Sequence, residues 1–264
     1  MMRALYTAAT GMGAQQMNVD TIANNLANVN TTGFKKSRVD FQDLLYQQIR
    51  MAGASSSDAT QVPTGINIGL GVRPAATQKM FTPGLPKPTG NPLDVRIAGD
   101  GFFQILLPDG ETGYTRDGAF KLDDQRRIVN NDGYLLEPAV TIPDNVPFEN
   151  ITISKDGTVQ VKAAGEDTVT DVTQITIATF VNPAGLTAIG GNIFKQSPAS
   201  GEANVGNANA EGRGSLEQRE LEMSNVAVID EMVDLITAQR AYDVNSKSIQ
   251  TSDEMLGLAN NLKR

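Results

Sequence analysis

SNVAVIDEMVDLITAQRAYDVNSKSIQTSDEMLGLANNLK, residues 224–263, is the stretch on which the reading of this chain turns. Val228, Leu235, Tyr242, Ile249 and Leu256 recur every seven residues, and Asn225, Met232, Gln239, Ser246 and Asp253 form a companion row three residues before them. A seven-residue apolar repeat predicts a helix whose seam faces another helix. Only Met232 is apolar in the companion row, so the stripe is too narrow to make a two-stranded zipper and requires a partner. Ser224 reads as the N-cap, and Asp230 and Glu231 place negative charge near the positive end of the helix dipole.

The partner that the sequence offers lies at the other end. Leu5, Met12, Val19 and Leu26 are also seven apart, with Ala8, Gln15, Ile22 and Val29 three residues on. The spacing predicts a helix over residues 3–29, ended by Asn24, Asn25, Asn28 and Asn30 and then Thr31, Thr32 and Gly33. Gly11 and Gly13 weaken its first half by about 1 kcal/mol each relative to Ala. Two amphipathic segments at opposite ends predict that the ends come together and the middle is looped out between them.

Between these helices the pattern changes. Residues 34–50 read as an extended lead-in followed by a short helical turn, and residues 51–64 as a small, polar excursion. In residues 65–81, Ile66, Ile68, Leu70 and Val72 alternate as in a strand, and Pro83, Pro86, Pro88 and Pro92 mark a boundary. From Leu93 to Lys195 Asp-Gly occurs five times, at 100–101, 109–110, 117–118, 132–133 and 156–157, mostly between short apolar runs. Asp-Gly supplies the positive φ angles of tight hairpin turns, so this stretch predicts an antiparallel barrel or sandwich. Residues 196–215 read as loop.

Composition excludes several functions. The chain of 264 residues is 40% apolar and 20% charged, which permits a core, but with 5% aromatics and no Trp a thin one, anchored by nine Phe and five Tyr. A net charge of −8 and a pI near 4.7, with no basic run longer than two residues, argue against nucleic acid. There is no Cys for a disulfide, thiolate metal site or nucleophile, and no His. The first eighteen residues lack the apolar core of a cleavable signal peptide, and no apolar run reaches eighteen.

Asp123-Asp124 and the Asn130, Asp132, Gly133 fragment of a calcium loop read as hairpin turns, and the latter has no Glu at the offset a calcium loop requires. Gly65, Gly69 and Gly71 do not have phosphate-loop spacing. No cofactor, metal or catalytic residue is expected. A hydrolase of the cell wall needs only two carboxylates and stays open as an alternative, as does a secreted adhesin with a stable monomer.

Asp20 to Phe41, DTIANNLANVNTTGFKKSRVDF, resembles the N-terminal signature of bacterial flagellar rod and hook proteins, and Ser224 to Leu256 resembles their C-terminal signature. Gly99 to Pro138 is similar to their shared β domain. The chain leaves little room for the further outer domain of a hook member. Residues 46–82 resemble the segment of subunits of the distal rod, with the proximal rod or a hook-type subunit as the alternative.

The resemblance implies an α+β fold in which long N- and C-terminal helices (1–33 and 222–264) pack as a coiled-coil-like core. A connector (34–82) and an outer antiparallel β domain with its return loop (83–221) complete it. It implies a homopolymer forming a rigid hollow shaft across the periplasm. Its neighbours would be other rod subunits, the hook protein and the surrounding peptidoglycan and outer-membrane ring proteins. Its helical seams would be Leu5, Met12, Val19, Ile22, Leu26 and Val29 against Val228, Met232, Leu235, Tyr242, Ile249 and Leu256. The ends would be disordered before assembly. It also implies passage through the flagellar type III export apparatus, for which Phe41 and Leu45 fit the export motif; the same two residues read equally as connector core.

Overall fold

A computed structural model describes residues 2–53, 55–57, 60–61, 63–163 and 168–261. Residue 1 and residues 262–264 of the terminal segments, and 54, 58, 59 and 62 of the polar excursion, lie outside the described residues. The chain divides into two compact units: residues 1–26, 37–78 and 228–264 form the first, and residues 27–36 and 79–227 the second. The fold is α+β, with one long helix near each end of the sequence and a large antiparallel β region between them.

In the first unit, helix α1 spans Met2–Ala27 and helix α2 spans Val228–Asn261. Helix α2 therefore starts four residues after the expected cap; the Ser224 hydroxyl instead accepts the Val226 amide. The connector is a two-stranded ribbon, Ser37–Asp43 with Val72–Lys79. The expected helical turn before residue 50 is absent. Tyr46–Arg50 is a strand, paired antiparallel with Ile66–Gly69, and within the same excursion Ser55–Ser57 pairs antiparallel with Thr60–Gln61. Cross-strand backbone bonding over this span outweighs the mixed apolar spacing that reads as a turn of helix.

The ribbon is fastened to α1 at two points. At one, the amide of Asn25 bonds both backbone groups of Ser37. At the other, Gly71, with φ +117°, packs against the Thr10 hydroxyl, so closely that any side chain there would overlap it. Leu44 N–H donates to Gly71 at the same point. From Asn25 back to Thr10 is about 22 Å of helix, and from Ser37 to Leu44 about 23 Å of strand. The two lengths match, so the ribbon lies along the helix without slack.

The second unit holds a nine-stranded antiparallel sheet. At its centre Phe102–Leu106 pairs with Thr112–Thr115 on one side and with Leu135–Glu137 and Thr176–Thr179 on the other. Three Asp-Gly pairs, at 109, 132 and 156, close hairpins between paired strands, each glycine at positive φ. Gly118 serves differently: Val95 approaches it too closely for a Cβ. Asn204–Asn207, inside the expected loop, forms a strand against Thr176–Thr179.

The core of this unit is larger and more aliphatic than the composition indicated. Among the described residues its main cluster has eighteen buried side chains, of which Phe103 and Phe120 are aromatic. Most of the rest are Ile and Val from alternating strand positions, such as Ile151, Ile153, Val159 and Val161. A separate group of Phe102, Phe194, Phe81, Phe180 and Tyr114 packs edge to face, with ring centres 4.8–6.2 Å apart. Finally the chain returns: Ser215–Gln218 pairs with Val95–Ala98, and Glu220–Glu222 with Pro86–Pro88. This return lays the segment before α2 beside the residues that follow α1.

Candidate functional site

Two constellations hold the chain ends: an ion cluster in the second unit and a helical seam in the first. The cluster forms where the return strand meets residues 33–36. Glu222, buried, receives Lys35 Nζ at 2.6 Å and the Gly84 amide at 2.8 Å on Oε1, and Arg116 Nη1 at 3.4 Å on Oε2. Lys35 also donates to the Thr82 carbonyl at 2.8 Å, and Arg116 Nη2 to Gly99 at 2.7 Å. Burial pushes the Lys35 ammonium below its usual pKa, while the Glu222 charge pulls it back. Four stretches of chain, 33–36, 82–84, 97–116 and 222, thus meet on one carboxylate. A buried charge among apolar strands is tolerated only when paired and hydrogen-bonded in this way.

Around the cluster the backbone is stitched further. Gly33 N–H donates to Glu222 O, and Lys36 N–H to Asn225 Oδ1. The Asn225 amide nitrogen donates to Met80 and Thr82 carbonyls. Asp117 accepts from the Thr32 hydroxyl, and burial raises its carboxyl above the usual range against the pull of that bond and of the Ala119 amide. Gly33, at φ +67°, sits where a Cβ would come within 2.6 Å of the Asp117 amide. Asn225, read from sequence as a row of the helical repeat, is a tether before the helix begins.

In the first unit, α1 and α2 run antiparallel. Asn25 Nδ2 donates to Glu231 Oε2 at 3.1 Å, and a Cβ on Gly11 would lie 2.9 Å from Asn245 Nδ2. Between these contacts Gln16 and Val19 share a groove with Gln239 and Tyr242. The side chains of α2 buried here are Glu231, Ala238 and Ser252, with Asn245 half-buried. That row stands four residues before Leu235, Tyr242, Ile249 and Leu256, rather than three. Both offsets share a face of a helix, and the polar character of Glu231, Asn245 and Ser252 disguised the row.

The residues read from sequence fall as follows. Ile22 is buried, and Leu5, Met12, Val19, Leu26 and Val29 are half-buried, as are Leu235, Ile249 and Leu256. Val228 and Met232 are 40% and 52% exposed, so the chain's own α1 leaves much of them uncovered, while Tyr242, 38% exposed, lines the groove shared with Gln16 and Val19. Ile229, Val233 and Ile236 continue that exposed apolar face. Phe41 is 37% and Leu45 85% exposed, so Leu45 is no core residue. Asn25, Glu231, Lys35, Arg116 and Glu222 carried no signal that set them apart. Asn25 reads as one of several helix-ending asparagines and Glu231 as a dipole charge.

A protein whose most specific geometry secures its two ends, and whose long helices expose an apolar face, belongs to the class of structural assembly subunits. Comparison with known proteins agrees. Residues 5–35 match the flagella basal body rod protein family, 96–161 the flagellar hook protein FlgE/F/G D1 domain, and 217–262 the flagellar basal body rod FlgEFG protein C-terminal family. The chain is 53% identical to the flagellar basal-body rod protein FlgG of Borreliella burgdorferi over 264 residues, all of both chains. It is 51% identical to that of Caulobacter vibrioides, over 99% of this chain and all of the relative, and 43% identical to that of Bacillus subtilis over the full length of both. The chain belongs to the flagellar basal-body rod family, and it is a structural rod subunit of the basal body rather than an enzyme.

Proposed function

We propose that this chain polymerises with copies of itself into the distal part of the rod, a rigid hollow shaft that carries torque across the periplasm to the hook. The observation that carries this is the apolar face of Val228, Ile229, Met232, Val233 and Ile236, exposed beside a seam that α1 already occupies. In this reading the paired terminal helices form the inner wall as a coiled-coil-like core, and α1 and α2 of neighbouring copies cover that face. The connector stiffens the wall and the β unit faces outward, towards the peptidoglycan and outer-membrane ring proteins. Other rod subunits and the hook protein bound the polymer at its ends. Phe41 and Leu45 serve the type III export apparatus as its recognition residues while the chain is unfolded.

Deleting residues 224–264 tests the proposal. The truncated chain is expected to retain the β-sheet circular dichroism of the second unit, and to remain soluble at concentrations where the full chain pellets. Incorporation of the truncated chain into rods would remove the helices from the assembly role.

A further inference from the structure

The seam between α1 and α2 poses a problem of register. Because the half-buried apolar positions of α2 repeat every seven residues, sliding one helix by seven residues past the other places apolar side chains against apolar side chains again. Polar groups break that degeneracy. Asn25 is buried with both amide hydrogens and its oxygen engaged: Nδ2 donates to Ser37 O at 2.9 Å and Glu231 Oε2 at 3.1 Å, and Oδ1 accepts from Ser37 N at 2.9 Å. Glu231 is itself only 4% exposed. Ser37 belongs to the connector, so one side chain joins α1, the ribbon and α2.

A second contact agrees with the first. Gly11 meets Asn245, and Asn25 meets Glu231; the two contacts are fourteen residues apart on each helix. A slip of seven in one direction would set Asn25 against Ala238 and Gly11 against Ser252. In the other it would set them against Ser224, which precedes α2, and Ala238. Either slip separates Glu231 from Asn25, the amide that is also bonded to Ser37; the first carries Glu231 beyond the end of α1 and the second sets it opposite Asn18. Losing the Asn25–Glu231 hydrogen bond costs free energy, whereas the apolar stripe, repeating every seven residues, gains none by sliding.

We infer that Asn25 and Glu231 are a register lock, a positioning pair that selects one antiparallel alignment of the terminal helices from the several that the apolar repeat alone would permit. The lock acts within one chain. A fixed alignment makes every copy present the same apolar face at the same height.

The chain has no cysteine, so engineered pairs report unambiguously. Asn18 and Ala238 lie midway between the two contacts on their helices and report the native register as Asn18→Cys/Ala238→Cys. Asn18→Cys/Asn245→Cys and Gly11→Cys/Ala238→Cys report a slip of seven in each direction. The full chain is oxidised slowly, fractionated by sedimentation, and its intramolecular disulfides are counted by mass spectrometry.

With Glu231 present the native pair dominates. Glu231→Leu is expected to lower the ratio of native to slipped disulfides roughly tenfold in whichever fraction carries them, the loss of a hydrogen bond to a charged group. Glu231→Gln, which keeps an acceptor for Asn25, restores the native ratio. An unchanged ratio in Glu231→Leu, equal slippage in Glu231→Gln, or no disulfide through any pair in Glu231→Leu would each overturn the lock. Loss of sedimentation with the ratio intact would count against polymerisation through these helices and leave the lock standing.

Discussion

Replacing Glu222 by Leu should destabilise the second unit more than any other single charge removal there. The substitution removes the carboxylate bonded to both Lys35 and Arg116, leaving only the unbonded charge of Asp100 nearby, and removes the acceptor of the Gly84 amide. Lys35 retains Thr82 O and Arg116 retains Gly99 O, so neither cation is wholly without a partner. Breaking a buried pair from one side costs about 3–5 kcal/mol. For a unit of this size each kcal/mol lowers the melting temperature by about 2–4 °C, so a cost near 4 kcal/mol gives a fall of about 8–16 °C. Thermal unfolding of the full chain followed by β-sheet circular dichroism measures it. Glu220→Gln supplies the control, since Glu220 pairs with Arg96 at 3.1 Å in a partly exposed group, and such pairs are worth about 1 kcal/mol or less. Adding Lys35→Met to Glu222→Leu should return part of the loss, because one buried cation without a bonded carboxylate then remains instead of two. A fall of under about 3 °C for Glu222→Leu would refute the cluster as the fastening of the chain ends.

The remaining tests bear on Asp117, the ribbon and the excursion. Because burial raises the Asp117 pKa above 3.8, the folded chain holds its proton to higher pH than the unfolded chain does, and stability falls as pH rises through that interval. Asp117→Asn keeps an oxygen for Thr32 and Ala119, so it should melt higher than the parent at pH 7 and lose this advantage below pH 3.8; a lower melting temperature at pH 7 would contradict this. Gly71→Ala, at φ +117° and against Thr10, should cost about 1–3 kcal/mol and speed hydrogen exchange at the Leu44 amide; unchanged exchange would detach the ribbon from α1. Shortening residues 46–64 should give bent polymers under electron microscopy, whereas straight ones of unchanged stiffness would deny the excursion its role.

What the sequence made legible is what periodicity and turn chemistry encode. The seven-residue rows placed both helices, and Asp-Gly at 109, 132 and 156 marked true hairpins. Elements stabilised by distant partners were hidden. Asn204–Asn207 is a strand because Thr176–Thr179 offers it an edge, although its own composition reads as loop. Tyr46–Arg50 is a strand because Ile66–Gly69 pairs with it.

The site was legible only in its apolar half. Val19, Ile22 and Leu235 stand out by spacing, while Ala238, Asn245 and Ser252 line the same seam with small or polar side chains that a hydrophobic pattern passes over. The ion cluster joins Lys35 to Glu222 across 187 positions of sequence, and no local signal distinguishes either from a surface charge.

The terminal helices, paired antiparallel, are expected to build the wall of the polymer. Electron cryomicroscopy of polymers grown from the full chain tests this most directly. The expected map has α1 and α2 at the inner radius, Asn25 against Glu231 within each copy, the face of Ile229, Met232, Val233 and Ile236 covered by neighbouring copies, and the β unit outside. A tube whose wall is made by the β units, with the helices unpaired or facing solvent, would contradict it.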